Sequence, residues 1–409
     1  LGLLVYFKYY NFLIQSAVDF LNLFRMNIES PSLDIILPVG ISFYTFQTLS
    51  YVIDVYNGSL KAERHFGYYA LYVSYFPQLV AGPIERAGDL LPQLKAEHFF
   101  GREDFEAGFR ILLVGFFRKC VVADLCGLFV NNVFANLGEA TGMAVFVASG
   151  LFYIQMYCDF AGYSEIAMGC ARMMGVKLTR NFNRPYLAQS YTEFFRRWHI
   201  TLNRWFTDYV YIPMGGSKKG KARKLLNILI VFALSGLWHG ANWTYLIWGL
   251  YAGIWVCAES ILKKPVASLL KARNIDLTKP WIVWARRAAM FLVFIPAALI
   301  FRAESVAQIG EALSKISVID IPQTIDILGL NAEKTLLLVL CIACMCLIYY
   351  FGEYTPCARR LVSIAEKRSV AVADGRRILV CITAVIVTAL MWTALLESGD
   401  VTAFQYFQF

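Results

Sequence analysis

Apolar residues fall in long blocks along this chain, and the blocks carry the first prediction. Residues 1–24 form one, interrupted by Lys8 and Asn11. Residues 35–56 follow, with Pro38 and Gly40 breaking the start, and then 66–81, 109–134 and 143–171. Residues 225–237 and 243–262 flank His239, and 281–301, 335–351 and 378–396 complete the series. A helix needs roughly 20 apolar residues to cross the hydrocarbon layer. The pattern therefore predicts an all-α polytopic membrane protein with about ten membrane segments, good to about two.

Polar residues inside the blocks mark departures from plain lipid-facing helices. GISFYTFQTLSYVIDVY (40–56) is rich in hydroxyls and aromatics, which suits interhelical hydrogen bonds or a cavity wall. FPQLVAGPIER (76–86) cannot be an undisturbed helix, because Pro77, Gly82 and Pro83 break it. Broken backbone at membrane depth has to line protein or water, so this stretch reads as a re-entrant or interfacial turn carrying Gln78, Glu85 and Arg86. Residues 90–104 read as a polar amphipathic link, with His98 and, earlier, His65 as surface histidines. Arg118, Lys119 and Asp124 are expected near the interface, their long side chains snorkelling outward. YIQMYCDFAGYSEIAMG (153–169) sets Gln155, Tyr157, Asp159, Tyr163, Ser164 and Glu165 among apolar neighbours. Either acid would be costly alone, which predicts a buried partner or a water-filled cavity. In 185–211, aromatic residues recur at three and four with Arg196, Arg197 and Arg204 between them, the pattern of one interfacial amphipathic helix.

Composition narrows the class. Of 409 residues 58% are apolar and 16% charged, against about 25% charged in a soluble domain. The formal charge of +9 would suggest nucleic acid in a soluble protein. Here the basic residues cluster in short loops beside apolar blocks, as the positive-inside rule requires, so no nucleic acid is expected. The runs 217–224, 263–279 and 355–377 then face the cytoplasm, and 302–333 and the C-terminus face outward. That parity sends 225–262 out and back, with the turn at His239. Most of the ten cysteines lie within apolar blocks, where a thiol acts as a small hydrophobe; CIACMC (341–346) lacks the second pair that a zinc pattern needs. The chain opens at Leu1 already apolar, so an N-terminal piece is expected to be missing, and no signal peptide can be argued.

His239 is the leading chemical candidate. It follows an apolar helix and is flanked by Trp238, Gly240 and Asn242, and the neighbouring glycines would let backbone or substrate approach closely. An imidazole can take a hydroxyl proton while that oxygen attacks an acyl carbon, with Asn242 as a donor to the developing oxyanion. A purely structural histidine at a helix break is the bland alternative. His199, in RRWHITL, would assist a donor or brace its helix. Arg196, Arg197 and Arg204 could attract an anionic carrier or only lipid phosphates. No phosphate-binding or dinucleotide fingerprint occurs, and four histidines without HExxH argue against a metal.

Four segments, 74–86, 155–169, 181–216 and 235–249, resemble the membrane-bound O-acyltransferase (MBOAT) family. The wording around His199 and His239 is closest to its bacterial, alginate O-acetylating branch. The resemblance implies a ring of tilted helices with short re-entrant and interfacial helices around a central tunnel. It implies His239 as the family histidine, His199 as the second, and Asp159, Tyr163, Ser164, Glu165, Arg196, Arg197, Trp198, Trp238 and Asn242 as lining candidates. It implies one membrane-embedded acyltransferase domain over 1–409, with core motifs in 35–249 and C-terminal helices in 263–396, in a bacterial inner membrane. The implied donor is acetyl-CoA or another acetyl thioester, with no tightly bound cofactor. Membrane lipids, periplasmic O-acetylation proteins and a polysaccharide biosynthesis complex are the implied partners. Alginate is the first acceptor, with cellulose, peptidoglycan and D-alanylation of teichoic acid as alternatives. A transporter or export scaffold is the competing class; a transporter should show repeated halves, and none is visible.

Overall fold

The computed structural model describes residues 1–351 apart from Ser32 and Phe100. The basic run 355–377, the apolar block 378–396 and Cys381 lie outside the described residues. All regular structure among those residues is helical. A short turn, Gly2–Leu4, and a π-helical stretch, Val5–Tyr9, lead into α1 (Tyr10–Asn22). Next come α2 (Ile41–Tyr56), α3 (Phe66–Ser74) and α4 (Ala87–Lys95). α5 (Arg102–Phe116) runs through a π-helical stretch, Phe117–Ala123, into α6 (Asp124–Ala135), and α7 spans Gly142–Met173. After α8 (Tyr191–Arg197) and α9 (Ile200–Phe206) come α10 (Lys221–His239), α11 (Trp243–Ala272) and α12 (Pro280–Arg302). α13 (Val306–Ser314), α14 (Ile321–Leu328) and α15 (Ala332–Phe351) follow.

Three of these helices, α7, α11 and α12, are long and apolar enough to cross a membrane, and α14 with α15 makes a fourth if that pair, bent by 76°, is one broken span. The roughly ten segments read from the sequence include shorter ones, and one of them, 378–396, lies outside the described residues. Several of the expected segments fold as shorter helices, such as α2 with 16 residues and α3 with 9. Proline, glycine and clustered charge divide those blocks.

The chain forms two compact units, each described here by itself. The first joins Leu1–Glu97 to Leu178–Ala307. Its spine is the α10–α11 hairpin, whose helices touch backbone to backbone. A Cβ on Gly236 would strike the Tyr245 carbonyl, and one on Gly249 would strike that of Phe232. α11 continues to Ala272, so Lys263, Lys264 and Lys271 lie on a helix and not in the loop that their charge suggested. Helix propensity is high for lysine and leucine, and the span carries straight into its basic end. The broken turn after α3 is buried in protein, with Pro77, Gln78 and residues 81–87 all enclosed. Gly40 takes φ 76° against it, where a side chain would meet the Leu79 carbonyl.

The second unit joins His98–Lys177 to the described residues from Gln308 onward. α5 and α7 meet at paired glycines: a Cβ on Gly108 would lie 2.7 Å from the Gly169 carbonyl, and one on Gly115 2.7 Å from that of Gly162. Small residues let membrane helices approach this closely. The approach brings the charges together. Arg118 and Lys119 do not snorkel outward. Arg118 is buried against Glu165 and lies over the Tyr157 ring at 5.5 Å; Lys119 meets Asp159 at 2.6 Å and Asp124 at 3.2 Å. The acids of α7 need counter-charges in an apolar interior, and that need outweighs exposure of the basic heads.

Replacing Glu165 with Leu strands the Arg118 guanidinium and is expected to cost about 3–5 kcal/mol, while adding Arg118→Met should recover most of the loss. Unfolding in detergent measures both variants. A double variant as unstable as the single one would contradict a pair held by mutual charge.

Candidate functional site

His239 is the last residue of α10, and the chain leaves the helix at Gly240 in extended backbone. A side chain on Gly240 would strike the Tyr245 ring and one on Gly236 the Tyr245 carbonyl, so the glycines around His239 let backbone approach closely. The imidazole is buried, with the Trp238, Trp248 and Phe301 rings edge-on to it at 5.0, 5.2 and 5.3 Å. Helix termini leave carbonyls without helical partners. The Leu237 carbonyl accepts from Tyr9 Oη at 2.9 Å, and those of Trp238 and His239 accept from Lys8 Nζ at 2.6 and 3.2 Å. Asn242, the expected oxyanion donor, is engaged by its own helix and by the chain beyond it. It caps α11, with Oδ1 accepting from the Thr244 amide at 3.1 Å and Nδ2 donating to the Glu304 carbonyl at 2.8 Å. Asparagine before an apolar helix is a strong cap, and that role takes the side chain.

The expected single helix over 185–211 is instead two short ones, α8 and α9, broken at His199. This residue takes φ 43°, the left-handed region, which costs a non-glycine residue of order 1–3 kcal/mol and persists only where its surroundings fix it. They do. Asn181 Oδ1 accepts from the Thr201 amide at 3.2 Å, from Thr201 Oγ1 at 2.9 Å and from His199 Nδ1 at 3.0 Å. The Ile200 amide donates to the Asn181 carbonyl at 2.9 Å, and Asn203 Nδ2 donates to the Trp198 and His199 carbonyls at 2.7 and 3.2 Å. A backbone amide can only donate, so the Asn181 atom that it meets is the oxygen, and His199 Nδ1 carries the proton. Nε2 is then the acceptor nitrogen of the neutral ring.

Trp238 joins the two histidines. Its ring lies 5.9 Å from that of His199 and 5.0 Å from that of His239, with Phe43 and Phe46 packed against it at 5.4 and 5.6 Å. Trp198 is buried between Phe182 and Phe194 as core packing. Arg197 is engaged by Glu193 at 2.7 Å and by the Asn183 carbonyl, whereas Arg196 is exposed. In the broken turn, Glu85 accepts from the Thr179 amide and hydroxyl, and Arg86 meets Asp208 at 3.1 Å while stacking on Tyr209 at 4.2 Å. Gln78 donates to the Tyr72 carbonyl at 2.9 Å. The Ile84 amide donates to Thr201 Oγ1 at 3.1 Å, tying this turn to the His199 loop. Asp159 and Ser164 are enclosed in the second unit, with Tyr163 and Glu165 half-buried beside them; the acids pair with Lys119 and Arg118 there.

The membrane-bound O-acyltransferase family model matches residues 64–300, more than half of the chain. The chain belongs to this family. Its MBOAT relatives include a Pseudomonas putida protein described as "probable alginate O-acetylase AlgI", 38% identical over 75% of this chain and 60% of its own length. A peptidoglycan O-acetyltransferase of Helicobacter pylori is 35% identical over 62% of this chain and 52% of its own. A teichoic acid D-alanyltransferase of Streptococcus thermophilus is 26% identical over 64% of this chain and 67% of its own. The chain spans between 56 and 60% of the length of the first three alginate-type relatives. Both histidines and the whole Asn181–Thr201 lock fall inside the MBOAT match.

Lys8, Tyr9, Asn181 and Thr201 hold the site without being marked as functional by motif or spacing. A lone lysine in an apolar opening was the available signal for Lys8; nothing in spacing alone marked Asn181. In ¹⁵N-histidine spectra of the wild type, His199 should show a protonated Nδ1. Asn181→Asp should keep that tautomer, and Asn181→Leu should lose it with destabilisation of about 1–3 kcal/mol for each donor left buried. A wild-type His199 protonated on Nε2 would contradict the assignment.

Proposed function

We propose that this protein is a membrane O-acyltransferase of a bacterial inner membrane, moving an acetyl group from a cytoplasmic thioester toward an extracellular polysaccharide. His239 acts as the base. An acceptor hydroxyl oxygen bonds to the thioester carbonyl carbon, its proton passes to the imidazole, and the carbon–sulfur bond breaks. The proton then returns to the leaving thiolate. A positioned base of this kind contributes about 10²–10⁴-fold in rate. The observation that carries the reading is the placement of His239: a buried imidazole at a helix break, walled by three aromatic rings, within a chain of the acyltransferase family.

Alginate is the acceptor put first, because the relatives at 38 to 39% identity bear alginate O-acetylase names. Peptidoglycan is the second reading, favoured by the relative at 35%. Acetyl-CoA or another acetyl thioester is the donor, and periplasmic O-acetylation proteins with the polysaccharide biosynthesis complex are the partners. Arg196 is left exposed to meet an anionic carrier. His199, held by Asn181, has the supporting role.

At equal membrane abundance, His239→Ala should lower polymer acetylation by about 10²-fold or more, leave export intact, and be more severe than His199→Ala. Purified protein with radiolabelled acetyl-CoA and candidate glycans checks donor and acceptor together. Lost export with residual acetylation would point instead to a transporter or scaffold.

A further inference from the structure

The end of α10 is held by a residue far away in sequence. Lys8 lies in the π-helical stretch before α1, and its ammonium makes three hydrogen bonds: to the Trp238 carbonyl at 2.6 Å, to the His239 carbonyl at 3.2 Å and to Ser42 Oγ at 3.3 Å. An ammonium has three N–H donors, so its capacity is used in full. The same cation lies 5.9 Å from the centre of the Trp238 ring, the indole shared by both histidines. Tyr9, the next residue, takes the Leu237 carbonyl. Three consecutive carbonyls of a helix end are thereby satisfied from one turn of chain.

Physical chemistry favours a cation at this place. Carbonyls at a helix C-terminus carry the negative end of the macrodipole, and in a buried setting they lack water. A neutral amide could bond two of them but would leave the dipole uncomplemented; the ammonium bonds two and complements it. The backbone that it grips belongs to the two residues whose side chains form the centre of the site. With all its protons committed, Lys8 has none to offer substrate.

We propose that Lys8 is a positioning residue for His239, fixing the last turn of α10 so that the imidazole keeps one place against Trp248 and Phe301. The proposal rests on the acyl-transfer reading for its functional meaning and on geometry for its substance. Removing the charge should loosen the imidazole without changing the groups that bind the donor.

The test uses the full chain in bilayers with Lys8→Met, Lys8→Gln, Lys8→Arg and Tyr9→Phe. Lys8→Met should lower kcat for acetyl transfer from acetyl-CoA by about 10²-fold, the scale of a misplacement near 1 Å, with KM for acetyl-CoA changed less than about threefold. Lys8→Arg should restore most of kcat, and Tyr9→Phe, which frees the Leu237 carbonyl but keeps the charge, should lower it less than Lys8→Met. The second readout needs no activity: the ¹⁵N imidazole line of His239, assigned by its loss in His239→Ala, should be narrow in the wild type and broad or split in Lys8→Met. If Lys8→Met does not accumulate, Lys8→Gln takes its place, since it keeps a donor and loses the charge. A wild type inactive in transfer whose His239 line still broadens on charge removal would refute acyl transfer and keep the positioning role. An unchanged His239 line, or wild-type kcat in the charge-free variants, would overturn the proposal.

Discussion

Backbone that leaves a helix inside an apolar protein must find its hydrogen-bond partners there, since water is not at hand to supply them. The first unit breaks its helices at three buried places and satisfies each with a side chain from elsewhere in sequence. The turn at 76–86 is tied through Ile84 to Thr201 and through the Glu85 carbonyl to Tyr72. The left-handed break at His199 is locked by Asn181. The end of α10 at His239 is held by Lys8 and Tyr9. Both histidines stand on breaks, and the partners of the breaks hold them there.

The same economy of polar groups governs the second unit. Its two basic residues on the π-helical stretch face the acids of α7 across helices brought close by glycine pairs. Charges in such an interior are tolerated when paired, and breaking a pair costs more than removing both partners. Arg118 and Lys119, set within an apolar block, thus signal carboxylates on a neighbouring helix and not an interface.

Much of this was legible before any coordinates. Block length announced the helical membrane class, the two prolines and one glycine of 76–86 announced a break, and Asp159 and Glu165 announced buried partners. The rest depended on chain contacts far apart in sequence. Arg118 and Lys119 looked like snorkelling residues because their carboxylates lie on another helix. The segment 185–211 looked like one helix because aromatic spacing is the same in two short helices as in one, and only the φ of His199 reveals the break. Asn242 looked like chemistry and is a cap; Lys8 looked like an interruption and holds the site.

The central claim is that His239 meets an acyl group. A density map of the protein with a non-hydrolysable acetyl-CoA analogue in a bilayer tests it most directly. The analogue's carbonyl carbon should lie within reach of the imidazole for an attacking hydroxyl placed between them, with reacting atoms about 3–3.5 Å apart. An analogue bound elsewhere, with His239 sealed among apolar side chains and no path leading to it, would contradict the account.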